Sequence, residues 1–478
     1  MKESDRYDIL VLGSGAAGKL LAWTMAKEGK RTAVVERKYI GGACPNVACL
    51  PSKNVIHTAK VASLFERHQE FGIRTGPVAV DMAGVYARKR KMVDDLVQIH
   101  LDEYRGAGVD LILGDGRFIG SRTLQVTLRD GGERTLTGER VFVNVGTHAT
   151  IPDIPGVPAA KPMTHVEALD LKRLPEHLIV LGGGYVGLEM AQAMRRLGSR
   201  VTLIARGPQL APREDADVAQ SILQLFRDEG IEVLLRTQVL NVKGLSGERV
   251  SLQVQGERGM QTVEGTDLLV AVGRTPNTEG IGLDKAGIEV TEKGHVRVND
   301  RLETTSPNAW AMGECAGSPY FTHVSEDDFR IVHENLSGGN RTTRDRLIPY
   351  CVFIDPPLAR VGINESQARE DNIAYRVAAL PMNAVLRTRT LSETRGFMKA
   401  VIDAQSDKIL GFAAFGTESA ELLGAVQIAM LAGQPYRILR DAVFAHPTMT
   451  EGFKSLFARA PQLAANDVEK LQSANVHA

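Results

Sequence analysis

Tyr7–Glu36, YDILVLGSGAAGKLLAWTMAKEGKRTAVVE, is the stretch whose reading decides the fold. Tyr7–Leu12 is a short apolar run closed by glycine, the pattern of a buried strand. Gly13, Gly15 and Gly18 follow in the spacing GxGxxG. The periodicity then predicts a helix over Lys19–Glu28, ended by Gly29. Thr32–Val35 reads as a second strand, with Glu36 at its end. Strand, glycine turn, helix, strand and acid within about thirty residues make a complete dinucleotide-binding fingerprint. Each part has a physical task. Gly13 makes the tight turn, Gly15 admits the pyrophosphate to the backbone, and Gly18 lets helix and strand approach. The free N–H groups of the helix start face the pyrophosphate. Glu36 can accept from a ribose hydroxyl.

The pattern returns at Leu178–Leu181, followed by GGGYVG with Gly182, Gly184 and Gly187. A helix through Leu197 and a strand Val201–Ile204 complete it. Here the acidic position holds Ala205, and Arg206 follows. Loss of the carboxylate and gain of a guanidinium favour a 2′-phosphate, with Arg213 close enough along the loop to assist. The second site therefore reads as one for NADPH rather than NADH. Two sites in one chain suggest a pair of dinucleotides, FAD and NAD(P)H. Val141–Gly146 and Leu268–Arg274, which contains Gly273, look alike: each reads as a strand feeding a glycine turn, a partial internal symmetry.

A chain of 478 residues is too long for one core, and about three domains are expected. Lys+Arg and Asp+Glu both total 57, which gives no electrostatic reason to expect nucleic acid or an anionic membrane as partner. Four cysteines are too few for a secreted disulfide scaffold. The polar start Met1–Arg6 does not read as a signal peptide, and Leu422–Ala432 is too short to span a bilayer, so a cytoplasmic location is expected.

Between the first glycine motif and the long charged helix predicted over 81–107 lies Gly41–Asn54, GGACPNVACLPSKN. Its cysteines, Cys44 and Cys49, are five residues apart. Five residues of regular helix rise about 7.5 Å, slightly beyond the Cα separation of under about 7 Å that a disulfide allows. They can pair only if the helix is irregular. Pro45 suits a first helical position, and Pro51 would loosen the turn before it. A redox-active disulfide and two small buried thiols both remain open on spacing. A reducing compartment favours the redox reading. Strands are also predicted around Val109–Leu113, Leu124–Leu128 and Asn308–Gly317, the last ending with the acid Glu314. Beyond Leu347 the pattern changes to strands at Cys351–Phe353, Phe397–Ile402 and Gly411–Phe415, then helices over Ser419–Leu431 and Met449–Phe457, an α+β arrangement. Residues from about Asn466 are expected to be loosely ordered.

GSGAAG, the CxxxxC stretch followed by PSK, GGGYVGLEMA and HPTMTEG stand in that order. Over nearly its whole length the chain thereby resembles the class I flavoprotein disulfide oxidoreductases, which include dihydrolipoamide dehydrogenase, glutathione reductase and mercuric reductase. The resemblance implies an α/β fold of two Rossmann-like FAD- and NAD(P)-binding domains plus a C-terminal α+β dimerisation domain. The expected divisions are 1–155 and 276–346 for FAD, 156–275 for NAD(P)H and 347–478 for dimerisation. It also implies a homodimer with shared active sites. Cys49 would be the thiolate beside the flavin and Cys44 the interchange thiol that attacks substrate. Lys53 paired with Glu189 would sit near the reacting flavin nitrogen, with Tyr185 as a gate over the nicotinamide. Glu314 stands where the family has Asp against the ribityl chain. His446 with Glu451 would be the acid–base dyad given to the partner subunit. His57 and His323 are expected to be structural, Cys315 and Cys351 to be small hydrophobes. No metal site is expected.

Departures narrow the reading. Ala43, Pro45 and Ala48 replace the usual Thr, Leu or Val, and Gly. The stretch 197–215 resembles mercuric reductase. Yet the sequence ends LQSANVHA without that enzyme's cysteine pair, has no preceding metal-capture segment, and keeps His446. Ala205–Arg206 disfavours dihydrolipoamide dehydrogenase. The expectation is an NADPH-dependent reductase of a small disulfide. The alternatives are a mercuric-reductase-like metal-ion or quinone reductase, a dithiol oxidase running in reverse, and a flavin-binding sensor with vestigial chemistry.

Overall fold

The structure, a computed structural model, describes residues 5–459 and the short strand Gln462–Leu463. The expectation about the chain beyond Asn466 lies outside the described residues. The opening unit is β1 (Arg6–Leu12), α1 (Ala16–Lys27) and β2 (Thr32–Glu36), with β1 and β2 parallel. The helix begins three residues before Lys19, because extended Gly15 is already its N-cap. Two helices of the thiol stretch follow, α2 (Ala43–Asn46) and α3 (Cys49–Glu66). α4 (Met82–Ala107) then starts where the sequence places it, with the Asp81 carboxylate accepting from the Ala83 N–H at 3.0 Å.

β3 (Asp110–Gly120), β4 (Thr123–Leu128) and β5 (Glu133–Val143) are longer than the apolar runs suggested. The start of β3 lies parallel to β2, and its remainder pairs antiparallel with β4. β5 begins against β4 and ends parallel to β1. One strand thus serves a buried parallel sheet at one end and a half-exposed meander at the other. Only the buried end carries a continuous apolar signal.

The chain crosses through β6 (Thr147–Ala149) and α5 (His165–Leu169) to a second unit. That unit comprises β7 (His177–Leu181), α6 (Tyr185–Leu197), β8 (Arg200–Ile204), α7 (Ala216–Asp228) and β9 (Glu232–Leu234). A meander follows: β10 (Gln238–Leu245), β11 (Arg249–Gly256) and β12 (Gly259–Gly265). β13 (Asp267–Val270) then joins β7 in the parallel order β13-β7-β8-β9. β13 stands beside β7 as β5 stands beside β1, so the symmetry seen between Val141–Gly146 and Leu268–Arg274 is structural.

β14 (Arg274–Pro276) pairs with β6, and the chain returns to the first sheet as β15 (Ala309–Ala311) beside β5. The strand expected over Asn308–Gly317 is only three residues long; Gly313–Ala316 is a 3₁₀ turn that carries Glu314. α8 (Thr322–Leu336) then packs on α1.

The C-terminal layer is an antiparallel sheet in the order β16 (Tyr350–Val352), β17 (Leu358–Gly362), β20 (Ile409–Phe415), β19 (Phe397–Asp403), β18 (Tyr375–Pro381) and the short β21 (Gln462–Leu463). α9 (Glu365–Glu370) and α10 (Leu386–Thr390) connect its strands. α11 (Ser419–Leu431), α12 (Arg437–Asp441) and α13 (Gly452–Ala458) follow it. Phe412, Leu422, Val426, Phe453 and Phe457 form its core. Buried Lys399 on β19 ties this layer to the second unit, reaching Asp215 at 2.8 Å, Asp217 at 2.8 Å and Glu365 at 3.0 Å. No helix among the described residues is long and apolar enough to cross a membrane.

Candidate active site

The thiol stretch is shaped at its start by Gly41 and Gly42, both with positive φ (86° and 85°). A Cβ on Gly42 would lie 2.7 Å from the Gly15 Cα, so glycine is what lets this loop touch the first nucleotide turn. Asn46 pins the loop by donating to the carbonyls of Ile40 (2.9 Å) and Gly42 (2.8 Å). The helix breaks at Ala48, whose φ and ψ are −129° and −102°. Cys44 and Cys49 therefore belong to different helices, and the distance limit of one regular helix does not apply. The roles expected of the prolines are corrected. Pro45 is the third residue of α2 rather than its first. Pro51 lies in the first turn of α3, where its missing N–H is of no consequence, and it loosens nothing.

Both cysteines are thiols here, hydrogen-bonded to each other. The bond from Cys44, opposed by burial and aided by the Thr322 hydroxyl and the Lys53 charge, pushes the Cys49 pKa down to about 6. Thr322 Oγ1 lies 3.4 Å from the Cys49 sulfur, at the start of α8. The same pairing, with burial, pushes Cys44 far upward, while Thr322 and Lys19 pull the other way. The pair is thereby polarised, with Cys49 the more acidic of the two thiols. Lys53 Nζ sits 2.8 Å from Glu189 and over the Phe353 ring at 4.7 Å; Glu189 also accepts from the Phe353 N–H at 2.8 Å. Lys19 hydrogen-bonds His100 at 2.7 Å. Sequence reading missed Thr322, Lys19 and His100, whose meaning lies in long-range contacts.

The two glycine turns are built alike. A Cβ on Gly13 would land on the Asn144 carbonyl, and one on Gly182 on the Ala271 carbonyl. Gly18 and Gly187 each face the backbone oxygen of the first glycine of their turn. Neither α1 nor α6 has a side-chain cap or an acid in its first turn, which suits a pyrophosphate. Asn144, not singled out by the sequence, accepts from the Gly18 N–H at 3.0 Å and donates to the Met312 carbonyl at 2.7 Å. Glu36 accepts from the Ser14 N–H and hydroxyl (both 2.8 Å) and the N–H groups of Lys38 (2.7 Å) and Tyr39 (2.9 Å). Its acceptor capacity is filled by these four donors. Gly146 and Gly273 close the strands beside the two turns. Glu314 hydrogen-bonds Thr147 and pairs with Arg274 at 3.1 Å.

At the second site Ala205 is buried at the end of β8 and Arg206 is exposed after it. Arg213 is exposed as well; its carbonyl accepts from Arg360 (3.0 Å) and Asn364 (3.1 Å), and its charge is felt by Tyr320. Tyr185, at the start of α6, stacks on Tyr350 with ring centroids 5.6 Å apart.

His446 Nδ1 meets Glu451 at 2.8 Å, and the imidazole is 66% exposed. Among the described residues no hydrogen bond joins it to the thiols of its own chain. His323 bonds the Pro349 carbonyl at 2.7 Å and stacks on Phe321, and His57 is exposed. Burial pushes both Cys315 and Cys351 up to about 11.

Comparison with known proteins agrees with this architecture. The model of the pyridine nucleotide-disulphide oxidoreductases matches residues 7–328, and that of the same family's dimerisation domain residues 348–457. The probable pyridine nucleotide-disulfide oxidoreductase RclA of Escherichia coli (strain K12) is 37% identical over 95% of this chain and 99% of that protein. A mercuric reductase of Streptomyces lividans is 34% identical over 97% of this chain and 98% of its own. The solved Cu(II) complex of HOCl-induced flavoprotein disulfide reductase RclA from Escherichia coli superposes with a TM-score of 0.87 at 36% identity, covering 95% of this chain and 99% of that one. The chain belongs to the pyridine nucleotide-disulphide oxidoreductase family, in the class of flavoprotein disulfide reductases that includes RclA and mercuric reductase.

Proposed function

We propose that the protein is a cytosolic, homodimeric reductase that passes an electron pair from NADPH to a Cys44–Cys49 disulfide and on to a small disulfide substrate. The observation that carries this reading is the setting of the thiol pair: the two cysteines lie together, Cys49 has the Thr322 hydroxyl at 3.4 Å and the Lys53 charge on its side, and these pull its thiol toward the anion while Cys44 is pushed the other way. FAD, held by the Gly13–Gly18 turn, Gly146 and Glu314, would supply the two-electron relay between nicotinamide and cysteines. Arg206, with Arg213 assisting, would take the 2′-phosphate. Lys53, fixed by Glu189, keeps positive charge beside the Cys49 thiolate.

Reduction breaks the Cys44–Cys49 bond, leaving the Cys49 thiolate and the Cys44 thiol. Cys44 gives its proton to His446 of the partner subunit and attacks the acceptor disulfide, forming a mixed disulfide and expelling one thiolate. His446 of the partner subunit protonates that leaving group. The Cys49 thiolate then attacks the Cys44 sulfur, restoring the internal disulfide and releasing the second thiolate, which takes a proton from water.

A metal ion is the second reading of the acceptor, favoured by the similarity to mercuric reductase and to an enzyme solved as a Cu(II) complex. A panel of low-molecular-weight disulfides, Hg(II), Cu(II) and quinones, each with both nicotinamides, separates these readings. The expected result is fastest turnover of a disulfide with NADPH, abolished by Cys44→Ser. Turnover of the best acceptor unchanged in Cys44→Ser would contradict the thiol mechanism.

A further inference from the structure

Glu214 is a buried carboxylate with three donors around it. Its Oε1 accepts from the Tyr185 hydroxyl at 2.7 Å and from the Tyr350 hydroxyl at 2.6 Å. Its Oε2 faces the Arg360 guanidinium at 3.4 Å. The Tyr185 and Tyr350 rings stack, and Tyr350 stacks again on Phe321 with centroids 5.6 Å apart. Arg360 also lies over the Tyr350 ring at 5.8 Å. Burial first, then the Glu214 charge, pushes both tyrosine hydroxyls above their usual range, so each stays a donor. Tyr185 and Glu189 are one helical turn apart on α6, and Glu189 holds Lys53. This aromatic cluster is therefore one turn from the charged pair of the reaction site. It also joins two parts of the molecule: Tyr185 and Glu214 come from the nucleotide-binding unit, Tyr350 and Arg360 from the C-terminal layer.

We propose that Glu214 is a positioning residue that latches Tyr185 shut, and that Tyr350 holds Glu214 when the latch opens for a nicotinamide. The proposal rests on the reading of Tyr185 as the nicotinamide gate. When Tyr185 swings away, Glu214 loses one donor but stays buried against Tyr350 and Arg360. The tyrosine that lets go and the tyrosine that remains act with opposite sign. Without the Tyr185 hydroxyl the gate opens more easily. Without the Tyr350 hydroxyl, opening leaves the carboxylate with Arg360 alone, and opening is harder.

The test measures the dissociation constants of NADP⁺ and NAD⁺ for the FAD-loaded dimer by calorimetry, and KM and kcat for the reduced nucleotides. Tyr185→Phe keeps the stacked ring and is expected to tighten nucleotide binding about tenfold, the size of a lost hydrogen bond to a charged group. Tyr350→Phe is expected to weaken it by a similar factor. Glu214→Gln follows Tyr185→Phe in direction. In each case the change appears in KM more than in kcat. A purely structural role would move both tyrosine variants the same way, and that result overturns the latch. If Tyr185→Ala changes binding while Tyr185→Phe and Tyr350→Phe do not, the latch fails and the gate stands. If Tyr185→Ala changes nothing, the gate reading fails and the latch with it.

Discussion

At the scale of single residues, the chemistry turns on how one sulfur is kept charged. Cys49 has three supports: the Cys44 thiol, the Thr322 hydroxyl at 3.4 Å and the charge of Lys53. Its pKa is pushed down to about 6, so the thiolate is present above that pH and is lost as pH falls through it. The absorbance of the thiolate beside the flavin in the two-electron-reduced enzyme should disappear with a midpoint near 6. Thr322→Val removes one hydrogen bond to the anion and should raise that midpoint by about one pH unit. An unchanged midpoint would mean that Thr322 does not hold the sulfur. The cysteines and lysine of this group were readable from the motif. Thr322 was not, because its partner lies 273 residues away and a hydroxyl at a helix start is ordinarily a cap.

At the scale of elements, the two glycine turns were legible almost completely. Their strand, glycine spacing and helix are local signals, although the carbonyls that a Cβ at Gly13 or Gly182 would meet, those of Asn144 and Ala271, lie far along the chain. The helix break between Cys44 and Cys49 was legible only as a requirement, since the conformation of Ala48 carries no composition signal. The meander strands were undercounted for a different reason. β3 and β11 alternate buried with more exposed residues, and β10 and β12 are mostly half-exposed, so these hairpin-paired strands carry no continuous apolar run. Lys399 was equally invisible, a charge in the middle of a strand that reads as surface. It is 3% exposed and answered by three carboxylates. Lys399→Met leaves Asp215 and Glu365 without it, and is expected to destabilise the fold by about 3 kcal/mol. A thermal midpoint equal to that of the parent would contradict this.

At the scale of the whole molecule, the fold class was readable because the separated motifs mark two nucleotide-binding units and a different C-terminal layer. The expectation of a homodimer came only through the family, and the match of residues 348–457 to its dimerisation domain supports it. The C-terminal layer exposes Ile428 and Leu431 one turn apart on α11, and Val443 is 99% exposed close to His446. Exposed apolar side chains of this kind, in the part of the chain that matches the dimerisation domain, fit a face covered by a second copy. Ile428→Asp is expected to shift the protein toward monomer in sedimentation and to lower disulfide turnover. A dimer of unchanged stability would place the interface elsewhere. The account makes the subunit a two-stage store, one electron pair on the flavin and one on the cysteines. Anaerobic reductive titration tests that claim most directly. The account predicts uptake of two electron pairs per subunit, with two newly alkylatable thiols, Cys44 and Cys49, appearing after the first. Uptake of a single pair, with no thiols gained, would contradict it.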